Sequence, residues 1–166
     1  MHVVSSTIDR YVQEYGRPLS RLCLSLCRNP ADAEDLYQDT WMKVIRYYER
    51  YETDKPFDKW LYALCINTYK NSRKAFWCRM QLSFHTNEDK DTFLACVAIP
   101  ETDNDIYIDL LAALRRMPVK YKAVLSLKYF MGYGDDEIAT ILQIPSGTVK
   151  SRLHRAKEQL LKQINA

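Results

Sequence analysis

Apolar residues recur every three or four positions through most of this 166-residue chain, a period that belongs to helices rather than strands. Ile8, Val12, Tyr15, Leu19, Leu22 and Leu26 mark a first helix over residues 8–28, with Pro18 placed to kink or interrupt it. Asn29-Pro30 opens a second. The amide suits the N-cap, proline suits the first helical position, and Asp32, Glu34 and Asp35 suit the positive end of the dipole. That helix is expected to run to about Tyr48, with Ala33, Leu36, Thr40, Val44 and Tyr47 inward and Asp35, Gln38, Asp39, Met42 and Arg46 outward. After the polar break YETDKP, a third helix is expected over roughly 57–77, with Leu61, Leu64, Thr68, Ser72 and Ala75 inside. Lys59, Tyr62, Ile66, Lys70, Arg73 and Trp77 form one outer stripe of it, and Trp60, Asn67, Asn71 and Lys74 the next.

The period lapses over residues 78–105, where polar runs such as NEDKD and PETDND read as a linker. It returns with Ile106, Leu110, Leu114 and Met117, ending at Pro118, and continues through Tyr121, Val124, Leu125, Leu127 and Tyr129 to the stop Gly132-Tyr133-Gly134. Gly134 then serves as N-cap for a short helix whose first turn holds Asp135, Asp136 and Glu137. Pro145-Ser146-Gly147 breaks it, and a last helix is expected from about Thr148, with Val149, Leu153, Ala156, Leu160 and Leu161 inward. The fold expected is all-α: two small helical domains joined by a linker, the second containing a helix-turn-helix.

Charge sharpens this division. The net charge is only +3, but residues 1–77 carry +2, residues 78–105 carry −4 and residues 106–166 carry +5. On the last helix Lys150, Arg152, Arg155, Lys157 and Lys162 stand against Glu158 alone. Such a face is either a solvated surface or a dock for something negative. A helix fits the major groove of DNA, so the second of two short helices around a tight turn can bring Lys150, Ser151, His154 and Arg155 to base edges.

Other classes find little support. No glycine-rich phosphate loop, HExxH pair or nucleophile-base arrangement occurs, and His2, His85 and His154 are scattered. No covalent catalysis and no cofactor is therefore expected. No run approaches the ~20 apolar residues of a membrane span, and the N-terminus has no signal-peptide pattern, so a cytoplasmic protein without membrane insertion is expected. The five cysteines lack CxxC spacing. Cys23, Cys27 and Cys65 either share a metal or pack as small hydrophobes, the commoner fate of free cysteine.

Three stretches carry a resemblance. GYGDDEIATILQIPSGTVKSRLHRAKEQL resembles the DNA-binding end of bacterial RNA polymerase sigma factors of the extracytoplasmic-function (ECF) group. DAEDLYQDTWMKV resembles that group's polymerase-binding helix, and PFDKWLYALCINTYKNSRK its promoter-melting helix. The matching parts cover roughly residues 8–77 and 106–162, in the family's order.

The resemblance implies a transcription initiation factor whose partners are core RNA polymerase, promoter DNA and an anti-sigma factor. It implies region 2 over residues 1–77, an acidic linker over 78–105 and region 4 over 106–166. Asp35, Gln38, Asp39, Trp41 and Met42 would grip the polymerase. Trp60 and Asn67 would separate the strands of the downstream, minus-ten element, with Asp54 in the pocket loop and Lys59, Lys70, Asn71, Arg73 and Lys74 following the single strand. Lys150, Ser151, His154 and Arg155 would face bases of the upstream, minus-thirty-five element, supported by Thr148 and Arg152. Ser146 departs from the family's apolar residue and is expected to cap the recognition helix. The rival reading is a stand-alone helix-turn-helix regulator, which would bind a palindromic site unaided as a dimer.

Overall fold

Pro18 lies within a continuous helix: in the computed structural model α1 spans His2–Leu26. Losing one backbone hydrogen bond to proline costs about 3 kcal/mol. Leu19, Leu22 and Leu26 follow the proline and are fully buried, each contributing about 1.5–3 kcal/mol, so burial holds the helix beyond the break. The structure describes residues 2–79 and 104–165, and the linker expected over 78–105 lies mostly outside the described residues.

Helix α2, Pro30–Tyr47, begins as its sequence dictates. The Asn29 side chain accepts the Asp32 N–H at 2.8 Å, and its amide donates to the Asp32 carboxylate at 3.0 Å. A short 3-10 turn, Tyr48–Arg50, leads to the loop before α3, Phe57–Arg79. Trp41 is only 7% exposed and packs edge-on to Tyr37 at 6.2 Å between ring centres. Position 41 is next to Thr40 and one turn before Val44, which places it on the inward stripe of α2, away from the exposed surface that the resemblance implied for it.

The second unit comprises α4 (Asn104–Arg115), α5 (Val119–Leu125) with a π turn Ser126–Phe130, α6 (Asp135–Leu142) and α7 (Ser146–Ile164). Gln143 takes φ 55° between α6 and α7. Its left-handed backbone lets the Ile144 N–H reach the Ala139 carbonyl at 3.1 Å, closing α6 in a Schellman turn. Helix α7 starts two residues before the expected Thr148, with Pro145 at its N-cap and no side-chain cap bond, so Ser146 does not cap it. Val149, Leu153 and Ala156 face inward as the period requires, whereas Leu161 is exposed.

Every element assigned among the described residues is helical or a turn. The two helical units rest on each other: α1 packs against α4, α5 and the π turn, and α3 against α6. This contact overturns one reading of α3. Tyr62 and Ile66, expected on an outer stripe, are 4% and 1% exposed, because the second unit covers that side. Tyr62 meets the Tyr133 ring at 6.0 Å. Periodicity within one helix cannot tell water from a second unit arriving on its far side.

The thiols belong to the core. Cys23 and Cys65 approach to 3.7 Å between sulfurs, Cys27 is buried beside them, and all three are free. Burial holds the Cys23 and Cys27 thiols well above their ordinary pKa, with Cys65 adding to the shift in both. Protonated thiols in an apolar setting pack as small hydrophobes and are poor metal ligands. Among the described residues no helix is long and apolar enough to cross a membrane.

Candidate nucleic-acid interface

Helix α7 is anchored by its buried side and charged on the other. Val149, Leu153 and Ala156 fix its rotation, which leaves Lys150, Ser151, His154 and Arg155 exposed and Thr148 and Arg152 half-buried. Positions 150, 151, 154 and 155 follow the i, i+1, i+4, i+5 pattern of a single helix face. His154 Nε2 lies 3.3 Å from a Glu158 carboxylate oxygen one turn on, and Ser151 Oγ donates to the Thr148 carbonyl at 3.1 Å. Lys157 is spent differently, its ammonium lying 5.4 Å from the Tyr129 ring centre.

Among the described residues no ion pair engages Lys150, Arg152 or Arg155. The carboxylates of the described residues therefore leave these three cations unpaired. The acidic start of α6 supports the motif instead. Glu137 accepts the Gly134 N–H at 2.9 Å, and that bond first, then Lys59, draws its carboxyl below the usual pKa.

A second surface is built at the start of α3. The Trp60 ring is half-buried and stacks on Tyr51, with centres 4.9 Å apart and planes 28° apart. Tyr51 also packs edge-on to Phe57 at 5.6 Å, and its hydroxyl donates to the Lys55 carbonyl. Lys55 in turn pairs with Glu52 at 2.7 Å. One aromatic side chain thus sets both the indole and the loop 51–56, from which Asp54 projects exposed. The resemblance pointed to Trp60 and to the loop of Asp54, but not to Tyr51 as the residue that joins them.

Asn67, Asn71 and Lys70 are exposed along α3, while Lys59 is drawn aside to Glu137 at 3.5 Å. Partial burial, with Arg152 of α7 adding to it, lowers the Lys70 ammonium from its usual pKa. Arg73 and Lys74 lie on the α3 backbone, and their side chains are outside the described residues. A third surface, on α2, exposes Asp35, Gln38, Asp39 and Met42, the last 66% exposed, with Ile45 extending the apolar part. Ile45 was missed from sequence, although its position one turn after Met42 places it on the same side.

The chain's relatives agree with this layout. Two family models match in order: Sigma-70 region 2 over residues 11–76 and Sigma-70, region 4 over residues 107–160. The RNA polymerase sigma-H factor of Pseudomonas aeruginosa is 29% identical over 160 residues, covering 92% of this chain and 83% of that protein. The ECF RNA polymerase sigma factor SigE of Mycolicibacterium smegmatis is 33% identical over 156 residues, covering 92% of this chain and 59% of that protein. Among solved structures, the Bartonella quintana sigma factor RpoE, determined in complex with the anti-sigma factor NepR, shares the fold. Its TM-score is 0.68 at 22% identity, covering 95% of this chain and 98% of that one. A region 2 followed by a region 4, each built on the surfaces described, makes this chain a member of the extracytoplasmic-function group of RNA polymerase sigma factors, which bind core polymerase and direct it to promoters.

Proposed function

We propose that residues 1–77 grip the polymerase and open the downstream element while residues 106–166 hold the upstream one. The observation that carries this is the cationic face of α7, whose Lys150, Arg152 and Arg155 pair with no carboxylate among the described residues, set in a helix-turn-helix whose partner unit presents a stacked indole beside a fixed loop. On α7, Arg155 grips a base edge, Lys150, Ser151 and His154 contribute neighbouring contacts, and Thr148 and Arg152 brace against phosphates. On α3 and its loop, Trp60 acts as the wedge, Asn67 and the Asp54 loop receive an everted base, and Lys59, Lys70, Asn71, Arg73 and Lys74 follow the strand. The exposed Asp35, Gln38, Asp39 and Met42 of α2 meet the polymerase, with buried Trp41 shaping that helix from behind.

Such a protein works in the cytoplasm, makes and breaks no covalent bond, and responds to stress through an anti-sigma partner, a reading supported by the complex of its structural relative RpoE with the anti-sigma factor NepR. Run-off transcription on a pool of genomic promoters tests the reading. Addition of the chain to core polymerase yields discrete initiation, and neither component alone does. A chain that shifts palindromic duplex DNA by itself yet never supports initiation is a stand-alone regulator instead. Within the holoenzyme, Arg155→Ala relaxes preference at one base pair of the upstream element by about 1–3 kcal/mol. Competition binding with single-base variants measures it, and a uniform loss across all variants would make Arg155 a phosphate contact.

A further inference from the structure

Helix α1 carries Arg10, Glu14, Arg17 and Arg21, positions i, i+4, i+7 and i+11, which share one face of a helix. Arg10 and Arg17 are exposed and Arg21 is half-buried. Spacing puts Glu14 within reach of both Arg10 and Arg17, yet among the described residues no ion pair joins it to either. Arg10 turns to a ring instead, its guanidinium carbon lying 5.5 Å from the Tyr11 centre.

Through Tyr11, Arg10 joins the aromatic group that carries Trp60. Tyr11 stacks on Phe57, with centres 3.8 Å apart and planes 7° apart, and Phe57 lies 5.7 Å from Trp60. Tyr11 also lies 6.4 Å from Tyr48, which lies 6.0 Å from Tyr51, the ring stacked on the indole. The neighbouring 3-10 turn repeats the pairing of cation and ring, with Arg50 at 5.6 Å from the Tyr47 centre. Tyr11, Tyr47 and Tyr48 are half-buried, which leaves part of each side chain to solvent.

Arginine beside a tyrosine ring is the chemistry of a single-strand surface: the cation meets phosphate, and the ring offers its face to any base. A protein partner would be met by an apolar centre, which the face of Arg10, Glu14, Arg17 and Arg21 lacks. From Arg10 to Arg21 the helix advances about 16 Å, room for several phosphates, which follow one another about every 3.4 Å along a stacked strand.

We propose that this side of α1, with the 3-10 turn, holds the unpaired strand as it continues past Trp60, away from the upstream element. Arg10 and Arg17 bind its phosphates, and Tyr11 and Tyr48 offer faces to its bases without regard to sequence. This role of α1 rests on the assignment of Trp60 to the unpaired strand. Two helices joined by stacked rings then grip the strand in succession, α3 at the everted base and α1 beyond it.

Two labelled single-stranded oligonucleotides test it on the holoenzyme by fluorescence anisotropy, one ending at the minus-ten element and one extended past it. Affinities are read between about 50 and about 200 mM salt. On the extended strand, Arg10→Ala combined with Arg17→Ala loses two phosphate contacts, each contributing about 0.7 to the slope of log affinity on log salt, so the wild type weakens over that range about sevenfold more than the variant. On the short strand the two proteins behave alike. Arg10→Lys combined with Arg17→Lys restores the wild-type slope, since lysine keeps the charge. Equal slopes on the extended strand overturn the proposal and make the stripe an ordinary solvated face. A double alanine variant that loses affinity for core polymerase while its slopes stay equal overturns it in favour of a protein contact. Trp60→Ala weakens binding of both oligonucleotides. Unchanged affinity of that variant for the short one is a separate failure, which removes the assignment of Trp60 and the role of α1 with it.

Discussion

Trp60→Ala leaves docking of the holoenzyme on duplex promoter DNA intact and reduces strand opening about 5- to 150-fold, the equivalent of 1–3 kcal/mol. The direction follows from geometry. The indole is half-buried, stacked on Tyr51 and held beside a loop that the Tyr51 hydroxyl ties at Lys55. A base leaving the duplex gives up stacking worth a few kcal/mol, and a fixed aromatic face returns about 1–3 kcal/mol of it. Alanine removes that return without touching α7, the helix proposed to hold the upstream element in initial docking. Permanganate reactivity of thymines in the downstream element measures opening, and filter binding at low temperature measures docking. Equal losses in the two assays would make Trp60 a structural residue of the aromatic group that also holds Phe57, 5.7 Å away between ring centres.

Leu22→Ala destabilises the chain by about 2–5 kcal/mol, the range for a fully buried leucine whose surroundings relax only in part. Leu22 has no exposed surface and lies on α1, the helix that contributes to both units. In a chain of this size each kcal/mol lowers Tm by about 2–4 °C. Because α1 packs against α2 and α3 on one side and α4, α5 and the π turn on another, thermal unfolding loses both units in one transition, shifted as a whole by the substitution. A variant with two separated transitions, only the first displaced, would mean the units do not share stability through α1.

Much of this molecule is written in local patterns. The Asn29 cap, the proline at the start of α2 and the acidic first turn of α6 are signals read within four residues, and the structure forms them. Trp41 is buried although the resemblance assigned it to a partner surface, because its spacing, between Thr40 and Val44, places it inside. The start of α7 moved because proline tolerates the position just before a helix as readily as it breaks one, so PSG marks a beginning and not only an end. Tyr62 and Ile66 were hidden for a different reason. Their burial depends on Tyr133 and its neighbours about seventy residues away, and no window along the chain contains both. Lys122 is the extreme case. As a lysine it reads as a surface residue, and only the carbonyl of Leu26 and the hydroxyl of Tyr69, both distant in sequence, explain why it is inside.

Photocrosslinking from residues 60 and 155 of the holoenzyme on one promoter tests most directly whether two units of this chain read two separate stretches of DNA. The account predicts that the probe at 155 labels the upstream element, that the probe at 60 labels the unpaired strand of the downstream element, and that the second label needs core polymerase. Labelling of one common stretch by both probes, or equal labelling at 60 without the polymerase, would contradict it.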